Sequence, residues 1–248
     1  MGDILILKRV LVLCVLAGIV CAAATAQAAM MFNVSINTSN FIGIAGDIDF
    51  QLGSDGNNVP ITASFSNLYT DAVLNGPTAD STTLAYLVPL DPPNTTFSGD
   101  LASNTLSLFN NGASQSIANV GQLVSSFGNY MNFTVTFTGA GIGASSASSP
   151  TLAISFFDSL GNPLFSGPAS ENNAAVFFQV DGVDGSVSPT AYPTVSSPPS
   201  TPVVSVVPEP SSLLLMLMGV LGMGYWKLAG SPANAVQRFI REGNSPAA

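Results

Sequence analysis

No lysine or arginine occurs between Arg9 and Lys227 of this 248-residue chain, and it has no histidine at all. From Asp47 to Asp184 there are eleven carboxylates without a basic partner, and the formal net charge is -9. Such a surface cannot neutralise phosphates, which excludes nucleic-acid binding through a basic face and attraction to anionic lipid headgroups. The usual catalytic groups are missing too: no histidine for acid-base work, no lysine for a Schiff base, no arginine to clamp an oxyanion.

Cysteine is equally sparse. Cys14 and Cys21 are the only two, and both lie in an N-terminal apolar stretch. Leu13 and Val20 precede them where lipoprotein processing requires a small residue, so a lipid anchor through cysteine is not expected. That stretch, Val10 to Ala24, follows Lys8 and Arg9 and leads to Ala26-Gln27-Ala28, the small-x-small pattern of a signal peptidase site. Its about fifteen residues make a helix of roughly 22 Å, short of a roughly 30 Å hydrocarbon core. Residues 1–28 are therefore expected to be a cleaved signal peptide, with Ala26 and Ala28 as the recognition residues. Cleavage there leaves a mature chain without thiols, which excludes thiol catalysis, cysteine metal sites and disulfides.

What remains reads as strands. Phe32-Asn33-Val34-Ser35-Ile36-Asn37, Asp47-Ile48-Asp49-Phe50-Gln51-Leu52, Ile61-Thr62-Ala63-Ser64-Phe65 and Met131 to Thr138 alternate apolar and polar residues with period two. Leu84 to Val88, Thr105 to Phe109, Leu152 to Phe157 and Ala175 to Val180 add shorter candidates. Turn signals separate them at Ser54-Asp55-Gly56-Asn57, Asn75-Gly76-Pro77, Asn110-Asn111-Gly112, Leu160-Gly161-Asn162-Pro163 and Asp181-Gly182. Residues 113–128 suit a short helix or a loop. The expected fold is all-β over residues 29–185, an antiparallel β-sandwich or jelly-roll-like ectodomain of about eight strands.

Composition changes at Ser186. From there to Pro210 stand seven prolines among Ser, Thr and Val. Proline removes backbone donors and fixes φ, so residues 186–207 are expected to form an extended stalk outside any sheet. Pro208-Glu209-Pro210 then abuts the apolar run Ser212 to Trp226, and residues 208–229 are expected to hold a single transmembrane helix, shorter than a typical span. Lys227, Arg238 and Arg241 make residues 230–248 the cytoplasmic tail by the positive-inside rule.

The order of these parts resembles that of PEP-CTERM proteins: signal peptide, Ser/Thr/Asn-rich β domain, Pro-rich segment, then Val207-Pro208-Glu209-Pro210-Ser211 against an apolar helix. The resemblance implies that Pro208, Glu209 and Pro210 are a sorting motif read by an exosortase in the inner membrane of a Gram-negative bacterium. It also implies surface delivery of the product and extracellular polysaccharide as a partner. In the family the helix usually runs straight into a cluster of arginines, whereas here a single Lys227 is followed by a longer tail. The β domain, with Phe32 to Ser39 and Asp47 to Leu52, is similar to PEP-CTERM ectodomains of unassigned activity.

Other patterns carry less. Gly139-Ala140-Gly141-Ile142-Gly143-Ala144 matches a dinucleotide fingerprint, but Ser145 to Pro150 is no helix, so a hairpin loop is expected instead. Asp47 and Asp49 share a strand face opposite Ile48, Phe50 and Leu52, which reads as a solvated face rather than paired catalytic acids or a calcium site. Asp181-Gly182-Val183-Asp184-Gly185 misses the EF-hand spacing and reads as turns. No metal, cofactor or catalytic residue is assigned. The leading expectation is a non-catalytic surface protein with a structural or adhesive role in the envelope or matrix. A carbohydrate-binding module is the alternative, with Tyr69, Tyr86 and Tyr130 as stacking residues because Trp226 lies in the anchor. A glycoside hydrolase is a third, needing two carboxylates that nothing in the sequence selects.

Overall fold

The computed structural model describes residues 29–54, 59–78, 95–113, 116–140, 142–143 and 149–208. The signal peptide with Ala26 and Ala28, the candidate strand Leu84–Val88, Tyr86, and the motif from Glu209 onward with its apolar helix and tail lie outside them. Among the described residues no helix is long and apolar enough to cross a membrane.

Among the described residues, twelve strands form two antiparallel sheets. The first has the order β12-β1-β8-β3-β6-β5: Val203–Val207, Ala29–Asn37, Tyr130–Gly139, Ile61–Thr70, Ser107–Asn110 and Thr95–Ser98. The second has the order β11-β10-β9-β2-β7-β4: Val187–Ala191, Ala174–Val180, Thr151–Asp158, Gly46–Gly53, Ile117–Ser126 and Val73–Thr78. Two short 3₁₀ turns, Ser39–Phe41 and Ala169–Glu171, complete the secondary structure of the described residues.

Alternation in the sequence becomes two facing apolar surfaces. On β8, Met131, Phe133, Val135 and Phe137 all point inward and are buried, as do Phe32, Val34 and Ile36 on β1. From the other sheet come Ile48, Phe50 and Leu52 on β2 and Leu152, Ile154 and Phe156 on β9. Rings join the two surfaces. Phe50 of β2 meets Phe65 of β3 at 4.7 Å between centroids, and Phe178 of β10 meets Phe32 at 5.2 Å and Phe137 at 5.3 Å. Inclined ring pairs at these separations add to the area they bury.

Four expectations fail here, each for a physical reason. Residues 117–126 are neither helix nor loop but β7, which is inserted between β2 and β4. Its two faces mix apolar and polar residues, Ala118, Val120, Gln122 and Val124 inward against Ile117, Asn119, Gly121 and Leu123 outward, so no alternation is visible. Asn75-Gly76-Pro77 is not a turn but part of β4, an edge strand whose pairing with β7 shifts register on both sides of Leu74. An edge strand uses only half its donors and tolerates bulges and proline.

The segment 186–207 is not a free stalk. Val187–Ala191 pairs with β10, and Val203–Val207 pairs with β1 in the register Met31↔Val207 to Ser35↔Val203. Both are outer strands of their sheets, and the prolines fit that placement. Pro189 sits on an edge, while Pro202 and Pro208 flank β12 without entering it. The boundary between compact units falls after Val207. Finally, Gly139–Gly143 closes a turn through the Ile142 N–H to the Gly139 carbonyl (3.1 Å), yet it does not lead into a hairpin. It carries the chain from β8 in the first sheet to β9 in the second.

Candidate functional site

The centre of the first sheet's outer face carries rows of short uncharged polar side chains. Asn33 and Ser35 of β1 lie beside Thr134 and Asn132 of β8, and Ser66 and Ser64 of β3 continue the rows to Thr134 and Thr136. Hydrogen bonds tie the centre together: Asn67 Nδ2 donates to Thr134 Oγ1 (3.2 Å), which donates to Asn33 Oδ1 (2.9 Å), while the Ser64 and Ser107 hydroxyls lie 3.1 Å apart. No charged residue occurs in these rows.

Two tyrosines stand at the end of that face because of one bulge. Between Ser66 and Tyr69, β3 advances three residues while β8 advances two, and Asn67 takes a left-handed φ of 56°. The extra residue reverses which face β3 presents. Without it Tyr69 would follow Ala63 and Phe65 into the core; with it Tyr69 pairs with Asn132 and is 67% exposed. Its ring stacks on Tyr130 with centroids 5.0 Å apart and planes 26° from parallel. A hydrogen bond to Tyr69, then desolvation, pushes the Tyr130 hydroxyl up to about 12.

Asp71 fixes the turn beneath the pair. Its carboxylate accepts from the Asn129 N–H and side-chain amide, each at 2.7 Å, and from the Tyr130 N–H at 3.2 Å. Those bonds, the Asn129 side chain first, hold its pKa below the ordinary carboxylate value. Gly128 is required there, since a Cβ would lie 2.1 Å from Asp71 Oδ1.

The outer face of the second sheet is different, and it corrects the reading of Asp47 and Asp49. These side chains do point away from the sandwich core, but they are not solvated: Asp47 is 2% exposed and Asp49 0%. Around them on the same face lie Gln51, Asn119, Ser155, Ala153 and Phe157, all buried. Asn172 folds over this side, its carbonyl accepting from Ser155 Oγ at 2.8 Å. Burial, and secondarily the nearby Asp158 charge, raises the Asp47 pKa to about 7. Burial dominates at Asp49 as well, opposed by the Gln51 amide that donates to Oδ2 and reinforced by Asp47, and the result is about 8. Asp158 is held low instead, chiefly by Asn162, whose N–H and side-chain amide each donate at 2.9 Å.

Asp181 and Asp184 cap local turns, accepting from the Val183 N–H (2.7 Å) and the Ser186 N–H (2.8 Å). The remaining candidate feature is the junction after β12. Pro208 is exposed and follows Val207 directly, so the first motif residue is joined to the sheet with no intervening spacer.

Residues 206–227 match the model of the PEP-CTERM protein-sorting motif. No curated protein and no solved structure matches the chain. The chain thus carries the sorting motif of an exosortase substrate, and that motif implies an exported precursor that passes through the membrane and is processed by exosortase. Its first two residues, Val206 and Val207, are also the last two of β12.

Proposed function

We propose that this protein is a non-catalytic β-sandwich delivered to the cell surface, where it serves a structural or adhesive role in the envelope or the extracellular polysaccharide matrix. The sorting motif at residues 206–227 carries the delivery half of this reading. The uncharged hydroxyl and amide rows on the first sheet support the second half. Groups of this kind exchange hydrogen bonds with neutral polymer at little desolvation cost, whereas a charged face would hold its water.

Signal peptidase acting after Ala28 and exosortase acting at Pro208, Glu209 and Pro210 are the processing partners in this scheme. The apolar run beyond the motif is the transient membrane anchor. Extraction of the matrix tests the role: the protein should co-purify with polysaccharide in wild-type cells, and deletion of the chain should weaken matrix cohesion. Unchanged cohesion together with free protein in the medium would overturn it.

A glycan-binding reading is favoured by one specific observation, the stacked and exposed Tyr69–Tyr130 pair beside the Asn33–Thr134–Asn67 ladder. An aromatic face next to amide and hydroxyl groups suits the apolar and polar sides of a sugar ring. Asp47 and Asp49 do not support a hydrolase in the same way, because carboxylates this buried offer a polysaccharide no access.

A further inference from the structure

Each sheet ends in two outer strands, and β12 differs from the other three. β4 shifts register on both sides of Leu74 and holds Pro77, and β11 holds Pro189. β5 is four residues long and runs on to Leu101, whose N–H donates to Gln122 Oε1 of β7 at 3.2 Å, which ties that end to the other sheet. β12, Val203–Val207, has no proline, charge or register shift within it. Alternate residues of such a strand bond to β1, and the rest present N–H and C=O to the open edge. Natural sheets ordinarily blunt an edge of this kind.

The side chains of β12 are open in the same way. Val206 pairs with Phe32 and Val204 with Val34, so both stand on the core side of the sheet. Val204 packs against the core, yet Val206 is 69% exposed. On the outer side Val203, beside Ser35, is 65% exposed. The sequence Val203-Val204-Ser205-Val206-Val207 reads the same in both directions. Antiparallel pairing with a second β12 about Ser205 therefore sets Val206 against Val204 on the core side, Val203 against Val207 on the outer side, and serine against serine at the centre. Charge favours the same place. The eleven carboxylates make copies of the domain repel one another, but no strand of the first sheet carries a charged residue.

We infer that β12 is a homodimerisation edge, at which two copies of the chain pair antiparallel about Ser205 and join their first sheets. The contact is isologous, with its two-fold axis perpendicular to the sheet. That axis leaves both polar outer faces on one side, so pairing doubles the surface available for matrix contact, although the pairing does not rest on that function. A ladder of five residues buries less than a standard interface, which sets a micromolar rather than a nanomolar dimer.

Sedimentation equilibrium of the full chain in non-ionic detergent, with thermal unfolding of each variant, tests the edge. Wild type should show a monomer–dimer equilibrium at tens of micromolar that tightens as salt screens the carboxylates. Val206→Lys, at an exposed position, should keep the wild-type Tm and weaken association by about tenfold or more, because it sets a charge into both halves of the contact. Ser205→Cys should be joined to its own copy by a short bis-maleimide, with the link mapped to position 205 by peptide mass spectrometry, whereas Thr190→Cys on the β11 edge should not. Monomeric wild type at these concentrations, equal association of wild type and folded Val206→Lys, or equal cross-linking at positions 205 and 190 would overturn the inference.

Discussion

Met31 pairs with Val207 across the β1–β12 ladder, so the third residue after the expected signal-peptide cut is bonded to the last residue before the Pro-Glu-Pro tripeptide. Both ends of the sandwich therefore leave from one pole of the first sheet. The edge strand also overlaps the motif by Val206 and Val207, which ties the sorted sequence to the folded domain.

The β12 amides that bond to β1 should exchange hydrogen about tenfold or more slowly than unstructured peptide. Hydrogen-exchange mass spectrometry of peptides covering residues 200–208 measures this. Exchange at the free-peptide rate would restore the extended stalk.

Phe133→Ala should cost roughly 3–5 kcal/mol, because Phe133 is 2% exposed and packs on Phe65 with ring centroids 6.0 Å apart. Denaturant unfolding of the purified protein reads the loss. A midpoint equal to that of wild type would contradict the inward face of β8.

The clearest strands were legible because one face meets the core and the other meets water, as in β1, β3 and β8. Legibility fails at β7, where polar residues stand on both covered faces, and where an edge relaxes the rules. β7 hides its alternation since Asn119 and Gln122 are both buried, one on each face. β4, β11 and β12 are edges, where proline nearby argues less against a strand than it does in a sheet centre. The candidate sites divide in the same way. The sorting tripeptide is a linear signal and could be read directly, whereas Asp47 and Asp49 were assigned to the right face but the wrong environment. Nothing local in their sequence shows that this face is buried. Tyr69 was nameable, but its exposure depends on the Asn67 bulge.

Stability should fall as pH rises from about 4 to about 8. Asp47 and Asp49 have folded pKa values of about 7 and about 8 against a reference of 3.8. The folded state therefore binds protons more tightly, and ionisation in the unfolded state comes first. The slope is up to about 1.4 kcal/mol per pH unit for each group and levels off above the folded values. Asp158 is the charged group beside Asp47, and the described residues contain no basic side chain to offset it. Unfolding midpoints across this range should trace the decline, and Asp49→Asn should flatten it. A rise in stability over the same window would contradict buried, protonated carboxylates.

Tyr69→Ala should lower retention on the cell's own exopolysaccharide by roughly tenfold, the loss expected for an aromatic contact worth about 1.4 kcal/mol. Its exposure predicts little effect on folding. Affinity electrophoresis distinguishes the outcomes, and equal retention of the folded variant would remove the glycan-binding reading.

Surface sorting rests on Pro208-Glu209-Pro210, and Glu209→Gln separates it from plain anchoring. A generic span is held by transfer free energy summed over its apolar residues and is indifferent to one carboxylate outside the bilayer. An enzyme that reads the tripeptide uses two prolines to keep the backbone extended and the carboxylate between them as a specific contact. Fractionation with peptide mapping should find wild-type protein at the surface without the peptide from Gln237 to Ala248. The Glu209→Gln precursor should instead accumulate uncut in the inner membrane. Equal processing of the two, or recovery of the tail peptide from surface protein, would contradict sorting by this motif.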